Sequence, residues 1–337
     1  MTLIACIGGG QLGRMLGLAG LPLGLSFRFL DPSPEACARE VGELVVGDYG
    51  DPDALEQLVA GADVVTYEFE NVPVEAAERV GAIPGAAALE HGQDRLREKE
   101  LFRSLGIGTA RFGSLAETGL PALVKSRRLG YDGKGQRRVD AAAAVADDEV
   151  AEELVRFDRE LSIVGVRGRG GETRFWPLGE NVHRDGILRV TRAPAADAPQ
   201  EEAEAICRTL MDALEYVGVL AVELFQVGER LLANEFAPRV HNTGHWTIDG
   251  AETSQFENHL RAILGLPLGS TGARWPTVMV NLIGSLPALD GLLALEGARV
   301  HLYGKEPRAG RKVGHVTLIE PEDETVERAV ALADDVP

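Results

Sequence analysis

The chain has 337 residues, 45% of them apolar, and its 34 basic and 52 acidic residues give a formal net charge of −18. A surface this acidic repels nucleic acid and anionic membranes, and no apolar run approaches the roughly 20 residues needed to span a bilayer. No nucleic-acid or membrane partner is expected. The length suggests about two to three domains. Three scattered cysteines, Cys6, Cys37 and Cys207, form neither a disulfide framework nor a zinc spacing. The N-terminus shows no signal-peptide pattern, so a reducing, cytoplasmic setting is expected.

Residues 1–90 alternate strand and helix signals. Strands are expected at "LIACI", "LSFRFL", "ELVV" and "DVVTYEFE", and helices at "QLGRMLGLAG", "DPDALEQLVAG" and "PVEAAERVG". Asp51 is placed to cap the second helix, with Pro52 at its first position. The alternation predicts a parallel sheet with crossover helices. Within it, Gly8, Gly10 and Gly13 match the dinucleotide fingerprint G-x-G-x-x-G, with Asp31 about where a ribose-binding acid belongs. On that stretch alone, a nicotinamide oxidoreductase is the reading.

The segment "GQDRLREKELFRSLG" reads as a charged amphipathic helix leaving this unit. The Ala-rich run "DAAAAVADDEVAEEL" reads as a solvated helix. Strand-like segments follow at "RELSIVGVRG", "GETRFWPLGENVH" and "GILRVTR", then a loop "RAPAADAPQ" and a helix "EEAEAICRTLMDALEYVG". The last sixty residues again alternate, with "TVMVNLIG", "ARVHLYG" and "GHVTLIE" before a closing helix "ETVERAVALADD".

Three clusters carry chemistry. In "LVKSRRLGYDGKGQRR" six cations (Lys125, Arg127, Arg128, Lys134, Arg137, Arg138) accompany one acid, Asp132, and glycines at 130, 133 and 135. Glycines let backbone N–H groups converge on phosphate oxygens while lysines supply point charge. The plainer alternative is a solvated basic hairpin. In "LAVELFQVGERLLANEFAPRVHNTGHW" two strands flank a turn at Gly228–Glu229. A three-residue loop sets Glu223 opposite Glu235; a two-residue loop shifts the pairing by one. Facing carboxylates repel, and a cation between them removes that penalty. The all-oxygen set, with Asn234 beside Glu235, suits Mg²⁺ shared with a nucleotide; the alternative turns one Glu to solvent. Arg239, His241, Asn242 and His245 then crowd a polar, substrate-facing loop. A second anion site is expected from Lys305, Arg311 and Lys312. Two basic sites and a carboxylate pair suit a nucleotide-driven ligase with a phosphorylated second substrate.

The ordered motifs "GGGQLGRM", "TYEFENV", "DRLREKELF", "VKSRRLGYDGKGQ", "ELSIVGVRG", "NVHRDGILRVT", "YVGVLAVELF", "NEFAPRVHNTGHWTIDGAETSQFENHLRAILGLPLG" and "GRKVGH" cover nearly the whole chain. In them it resembles the N5-carboxyaminoimidazole ribonucleotide synthetases, ATP-grasp ligases of purine biosynthesis. The resemblance implies a mixed α/β and α+β architecture. A Rossmann-like pre-ATP-grasp domain would span residues 1–92. An ATP-grasp domain would follow over 93–270, its small lobe at about 110–160, and a small C-terminal domain over 271–337. The implied activity carboxylates 5-aminoimidazole ribonucleotide with bicarbonate, converting ATP to ADP and phosphate through carboxyphosphate, with Mg²⁺. The protein would be a cytoplasmic homodimer whose other partners are these small molecules.

Carried over by residue, the resemblance implies ATP contacts from Arg95, Lys125, the loop Gly130, Tyr131, Asp132, Gly133, Lys134, Gly135 and Gln136, and the pair Asn234–Glu235. The hinge residues Glu152, Glu153, Leu154 and Val155 would meet adenine through their backbone. Glu160 would take the ribose hydroxyls, and His183 would complete the site. Glu223 and Glu235 would hold the metal. Arg239, His241 and Asn242 would face bicarbonate. Gln11, Leu12, Glu68, Tyr131, Asp132, Lys305, Arg311 and Lys312 would shape the ribonucleotide site, Lys312 also serving catalysis. The chain departs from the pattern at Leu129, where a second glycine is usual, and at Glu153, where Lys or Gln is common. Rivals are a formate-dependent glycinamide ribonucleotide transformylase, an NAD-binding oxidoreductase and a non-catalytic nucleotide sensor.

Overall fold

The structure is a computed structural model that describes residues 2–130 and 135–334. Its first unit is a four-stranded parallel sheet in the spatial order Glu43–Val46, Ser26–Asp31, Leu3–Ile7, Val64–Tyr67. Both faces are covered, as parallel sheets require: Ile4, Cys6, Phe27 and Phe29 pack on one side, Ala5, Ile7, Leu30 and Val65 on the other. The helix Gln11–Gly20 follows the glycine turn directly. Asp51 caps the helix Pro52–Val59 through the N–H groups of Asp53 and Ala54.

A nine-stranded sheet forms the body of the molecule. Its path runs Arg230–Ala237, Gly218–Val227, Arg159–Arg167, Gly179–Arg184, Ile187–Ala193, Thr277–Ile283, Lys312–Ile319, Ala298–Leu302, with Thr173–Phe175 beside Arg159–Arg167. Strands from before and after residue 271 therefore share one sheet. A smaller antiparallel sheet is ordered Phe112–Gly113, Glu149–Glu153, Ala122–Ser126, Gln136–Val139.

The Ala-rich run is not a helix. Residues 140–148 are irregular, and Glu149–Glu153 becomes a strand paired on both sides. Val150 and Ala151 are buried there, so cross-strand packing overrides the helix propensity of alanine. The helix Arg95–Ser104 forms as expected, capped by Asp94, which accepts from Leu96 and Arg97. It lies along Arg230–Ala237, the last strand of the large sheet, and covers that open edge. No helix among the described residues is long and apolar enough to cross a membrane.

Candidate functional site

The hairpin Gly218–Val227/Arg230–Ala237 closes with a two-residue turn, since Val227 pairs with Arg230. That register alone aligns Glu223 with Asn234. A β-bulge at Asn234 shifts it by one, and Glu223 pairs with Glu235 after all. Bulges re-aim side chains beside functional sites. The Asn234 side-chain oxygen is buried without a hydrogen-bond partner. Burial, then the facing Glu235, push the Glu223 carboxyl up to about 7. Against the cost of burial, Arg95 above all, with Lys125 and Lys99, holds Glu235 down to about 2. The two carboxyls thus share a place that favours one negative charge unless a cation joins them.

The donor set fits Mg²⁺: two carboxylates and an unpartnered amide oxygen, all hard ligands. No group of three or more His, Cys, Asp and Glu suited to a metal occurs among the described residues. An ion here would complete its shell with phosphate and water.

Arg95 donates from Nη1 to Glu235 Oε2 at 2.8 Å and from Nη2 to the Gly130 carbonyl at 3.0 Å. It therefore ties the carboxylate pair to the start of the glycine loop. Lys125 donates to Glu152 Oε2 at 2.9 Å. Gly135 and Gln136 resume the loop on its far side, where the Gly135 carbonyl accepts from the Ser126 N–H at 2.7 Å and Gln136 pairs with Lys125. Tyr131, Asp132, Gly133 and Lys134 lie outside the described residues. Leu129 is 72% exposed and held at φ +60°, the left-handed conformation that the usual glycine would adopt freely.

The hinge stretch runs off the end of a strand. Glu152 and Glu153 lie inside the strand Glu149–Glu153, paired with Leu123 and Ala122. The Glu152 side chain turns into a buried cluster with Lys99 and Lys125, which hold it at about 2 against the cost of burial. Glu153 donates its N–H to the Arg111 carbonyl, and its carboxylate pairs with the same residue. Only Leu154 and Val155 lie beyond the strand. Across the site Glu160 and His183 form an ion pair; against the cost of burial, Glu160 raises the His183 imidazole above its ordinary value.

The loop after the hairpin brings Arg239, His241 and Asn242 to the same region. Arg239 pairs with Glu70 at 2.6 Å. His241 Nε2 is 3.7 Å from Glu223 Oε1, and its Nδ1 accepts from the Thr243 N–H. Burial, then Arg239 and Lys312, keep this imidazole well below its usual range, so it is neutral. Both amide atoms of Asn242 are buried without partners. Gln255 clamps the loop by accepting the His241 N–H and donating to its carbonyl, at 2.9 and 2.6 Å.

On the N-terminal unit the glycine turn is already occupied. Buried Glu68 accepts from Gly10 at 2.9 Å and Gly13 at 3.3 Å, the amides a pyrophosphate would use. A Cβ on Gly8 would stand 2.7 Å from Glu68 Cγ, and its φ is +102°, so the glycine there serves the carboxylate. Asp31 accepts from Gly9 and Tyr49. This corrects the dinucleotide fingerprint, and it also turns Glu68 toward the backbone. Leu12 is core, whereas Gln11 meets Lys305. Burial lowers the Lys305 ammonium from its ordinary value. Arg311 is bonded to the Glu306 carbonyl at 3.1 Å, and Lys312 opens the neighbouring strand opposite Ile283.

The sequence reading passed over Glu98, Lys99 and Gln255. The first two stand at three and four residues from Arg95, on one helical face, a spacing visible in "DRLREKELF".

Comparison with known proteins covers nearly the whole chain. Residues 1–93 match the ribonucleotide synthetase preATP-grasp domain, 110–256 the ATP-grasp domain and 277–329 the phosphoribosylaminoimidazole carboxylase C-terminal domain. The chain is 47% identical to an N5-carboxyaminoimidazole ribonucleotide synthase of Pseudomonas aeruginosa, covering 97% of each. It superposes on the crystal structure of the N5-carboxyaminoimidazole ribonucleotide synthetase of Thermus thermophilus with a TM-score of 0.92, at 55% identity over 98% of each chain. A structure from Aspergillus clavatus, solved in complex with ADP and 5-aminoimidazole ribonucleotide, matches with a TM-score of 0.90 at 30% identity over 99% of each.

Proposed function

The chain belongs to the N5-carboxyaminoimidazole ribonucleotide synthase family of ATP-grasp ligases, and from that premise we propose how its residues carry out the ATP-dependent carboxylation of 5-aminoimidazole ribonucleotide. The observation that carries the assignment is the facing pair Glu223–Glu235, tied by Arg95 to the glycine loop.

Glu223 and Glu235, with Asn234, would hold Mg²⁺. Bound there, the ion would neutralise triphosphate charge and raise the electrophilicity of the γ-phosphorus. Lys125 and Arg95 add fixed positive charge where phosphoryl oxygens gather charge. Leu154 and Val155 offer backbone groups to adenine, and Glu160 with His183 faces the ribose. Arg239 orients bicarbonate for attack on the γ-phosphoryl group, while the unpartnered Nδ2 of Asn242 donates to a bicarbonate oxygen and its unpartnered Oδ1 accepts the bicarbonate O–H. The carboxyphosphate so formed is short-lived in water, which calls for a closed, dry site. It releases CO₂ beside the substrate amine. The phosphate released with CO₂ takes the proton that this amine loses on carboxylation, and neutral His241, its Nδ1 engaged by the Thr243 N–H, presents Nε2–H to the site as a donor. Lys305, Arg311 and Lys312 bind the ribonucleotide phosphate, with Gln11 set by Lys305. Positioning and electrostatics supply the catalysis; no covalent enzyme intermediate is required.

Family membership supports a cytoplasmic homodimer, which light scattering tests. The decisive assay is phosphate release from ATP in bicarbonate buffer, with and without 5-aminoimidazole ribonucleotide. Release that depends on the ribonucleotide supports the reading. Release stimulated instead by formate and glycinamide ribonucleotide would move the chain to the transformylase chemistry.

A further inference from the structure

The strand that carries Glu235 is the edge of the large sheet, so alternate backbone groups of Arg230–Ala237 point away from their ladder. The bulge adds an unpaired residue there. Three side chains of the helix Arg95–Ser104 meet three consecutive residues of this irregular stretch. Lys99 Nζ donates to the Asn234 carbonyl at 2.7 Å, Arg95 holds Glu235 Oε2 at 2.8 Å, and Glu98 Oε1 accepts from the Phe236 N–H at 2.7 Å.

We propose that Lys99 and Glu98 are positioning residues for the carboxylate pair, fixing the backbone on either side of Glu235 so that its side chain stays opposite Glu223. The inference rests on the reading of that pair as the metal and nucleotide site. Lys99 is fully committed to this task. Its three protons face Asn234 O, Thr109 Oγ1 at 3.1 Å and Glu152 Oε2 at 3.4 Å, and an ammonium has only three to give. Thr109 in turn donates to the Ala233 carbonyl at 2.7 Å, so the contact reaches the residue before the bulge. Lys99 and Glu98 are about 1% and 2% exposed, too deep to touch a nucleotide themselves. Removing one partner of a buried ion pair is destabilising whatever its role, so the positioning role is read from binding and not from stability.

The test uses Mn²⁺ with ADP, followed by electron paramagnetic resonance, on the full chain. Lys99→Met should weaken Mn²⁺·ADP binding about tenfold or more, the usual consequence of removing a residue that orients a metal ligand. Binding of 5-aminoimidazole ribonucleotide without nucleotide, measured by calorimetry, should stay within about twofold. Glu98→Gln keeps an acceptor for the Phe236 N–H and should rescue binding to within about twofold of the parent, whereas Glu98→Leu should lose about tenfold. If Lys99→Met fails to fold, as judged by its thermal transition, the Glu98 pair decides. Unchanged Mn²⁺·ADP binding in Lys99→Met, a parallel loss of ribonucleotide binding, or equal behaviour of the two Glu98 variants overturns the proposal. Glu235→Gln separates the levels. If it binds Mn²⁺·ADP like the parent, the metal-site reading itself fails; if it loses binding while Lys99→Met does not, only the positioning role fails.

Discussion

Glu223 and Glu235 face each other across a hairpin whose two-residue turn would have aligned Glu223 with Asn234. The extra residue at the bulge restores the pairing of acid with acid, at a cost in electrostatic repulsion. Arg95 relieves that repulsion from the Glu235 side, and a further cation would relieve it for Glu223.

Glu235→Gln removes one of two mutually repelling carboxylates. Phosphate release should fall by about a hundredfold or more, and the thermal midpoint should fall as well, because Arg95 loses the carboxylate it is paired with; turnover is therefore measured well below that midpoint. Near-normal turnover would show that the pair does not serve the phosphoryl step.

Lys305→Ala and Lys312→Ala remove cations from the proposed ribonucleotide site. Losing a charge-assisted hydrogen bond of about 1.5–3 kcal/mol should raise the KM for 5-aminoimidazole ribonucleotide roughly ten- to hundredfold, with little change in the KM for ATP. A defect confined to ATP would reassign the residue to the nucleotide.

His259 pins two units together. Its Nδ1 accepts from the Val219 N–H at 3.2 Å and its Nε2 meets Thr66 Oγ1 at 3.0 Å, an arrangement open only to the neutral ring with the proton on Nε2. Burial lowers the imidazole to about 4. The unfolded chain therefore takes up the proton first: this stability is full above about pH 6.5 and drains away as the pH falls toward 4. His259→Gln should be less stable than the parent at pH 7.5, and the gap should narrow by about 2 kcal/mol at pH 5, measured by urea unfolding at both pH values. An unchanged gap would mean that the ring is protonated in the fold.

Leu129 occupies a left-handed backbone position. A β-branched side chain tolerates that conformation worse than leucine does, so Leu129→Ile should raise the KM for ATP by distorting the approach to Gly130. Leu129→Gly should be close to neutral in stability, since release of about 1–2 kcal/mol of strain is offset by the greater freedom of glycine in the unfolded chain. Equal KM values for the two variants would show that the loop entrance does not feel this residue.

Much of the architecture was legible in the residues. The pattern of apolar residues located the strands Leu3–Ile7 and Glu43–Val46 and the helix Gln11–Gly20 to the residue, because short apolar runs bounded by local turns mark their own ends. The Ala-rich run misled, since the strand at Val150 and Ala151 is stabilised by neighbours far away in sequence. The glycine fingerprint misled for a related reason: G-x-G-x-x-G reports a tight turn into a helix, not what lies on its amides, and Glu68 follows the end of another strand more than fifty residues on.

Residue type and spacing, by themselves, determined that this chain holds a basic glycine loop, two acids on one hairpin and a polar loop directly after it, because such patterns depend only on local chain geometry. Which acid meets which, that Asn234 bulges, that Lys99 and Glu98 brace it, and that Glu152 is turned inward were decided by the tertiary structure alone. Each of those depends on a helix, a strand edge and a buried charge brought together from distant parts of the chain, and only packing in three dimensions sets their distances.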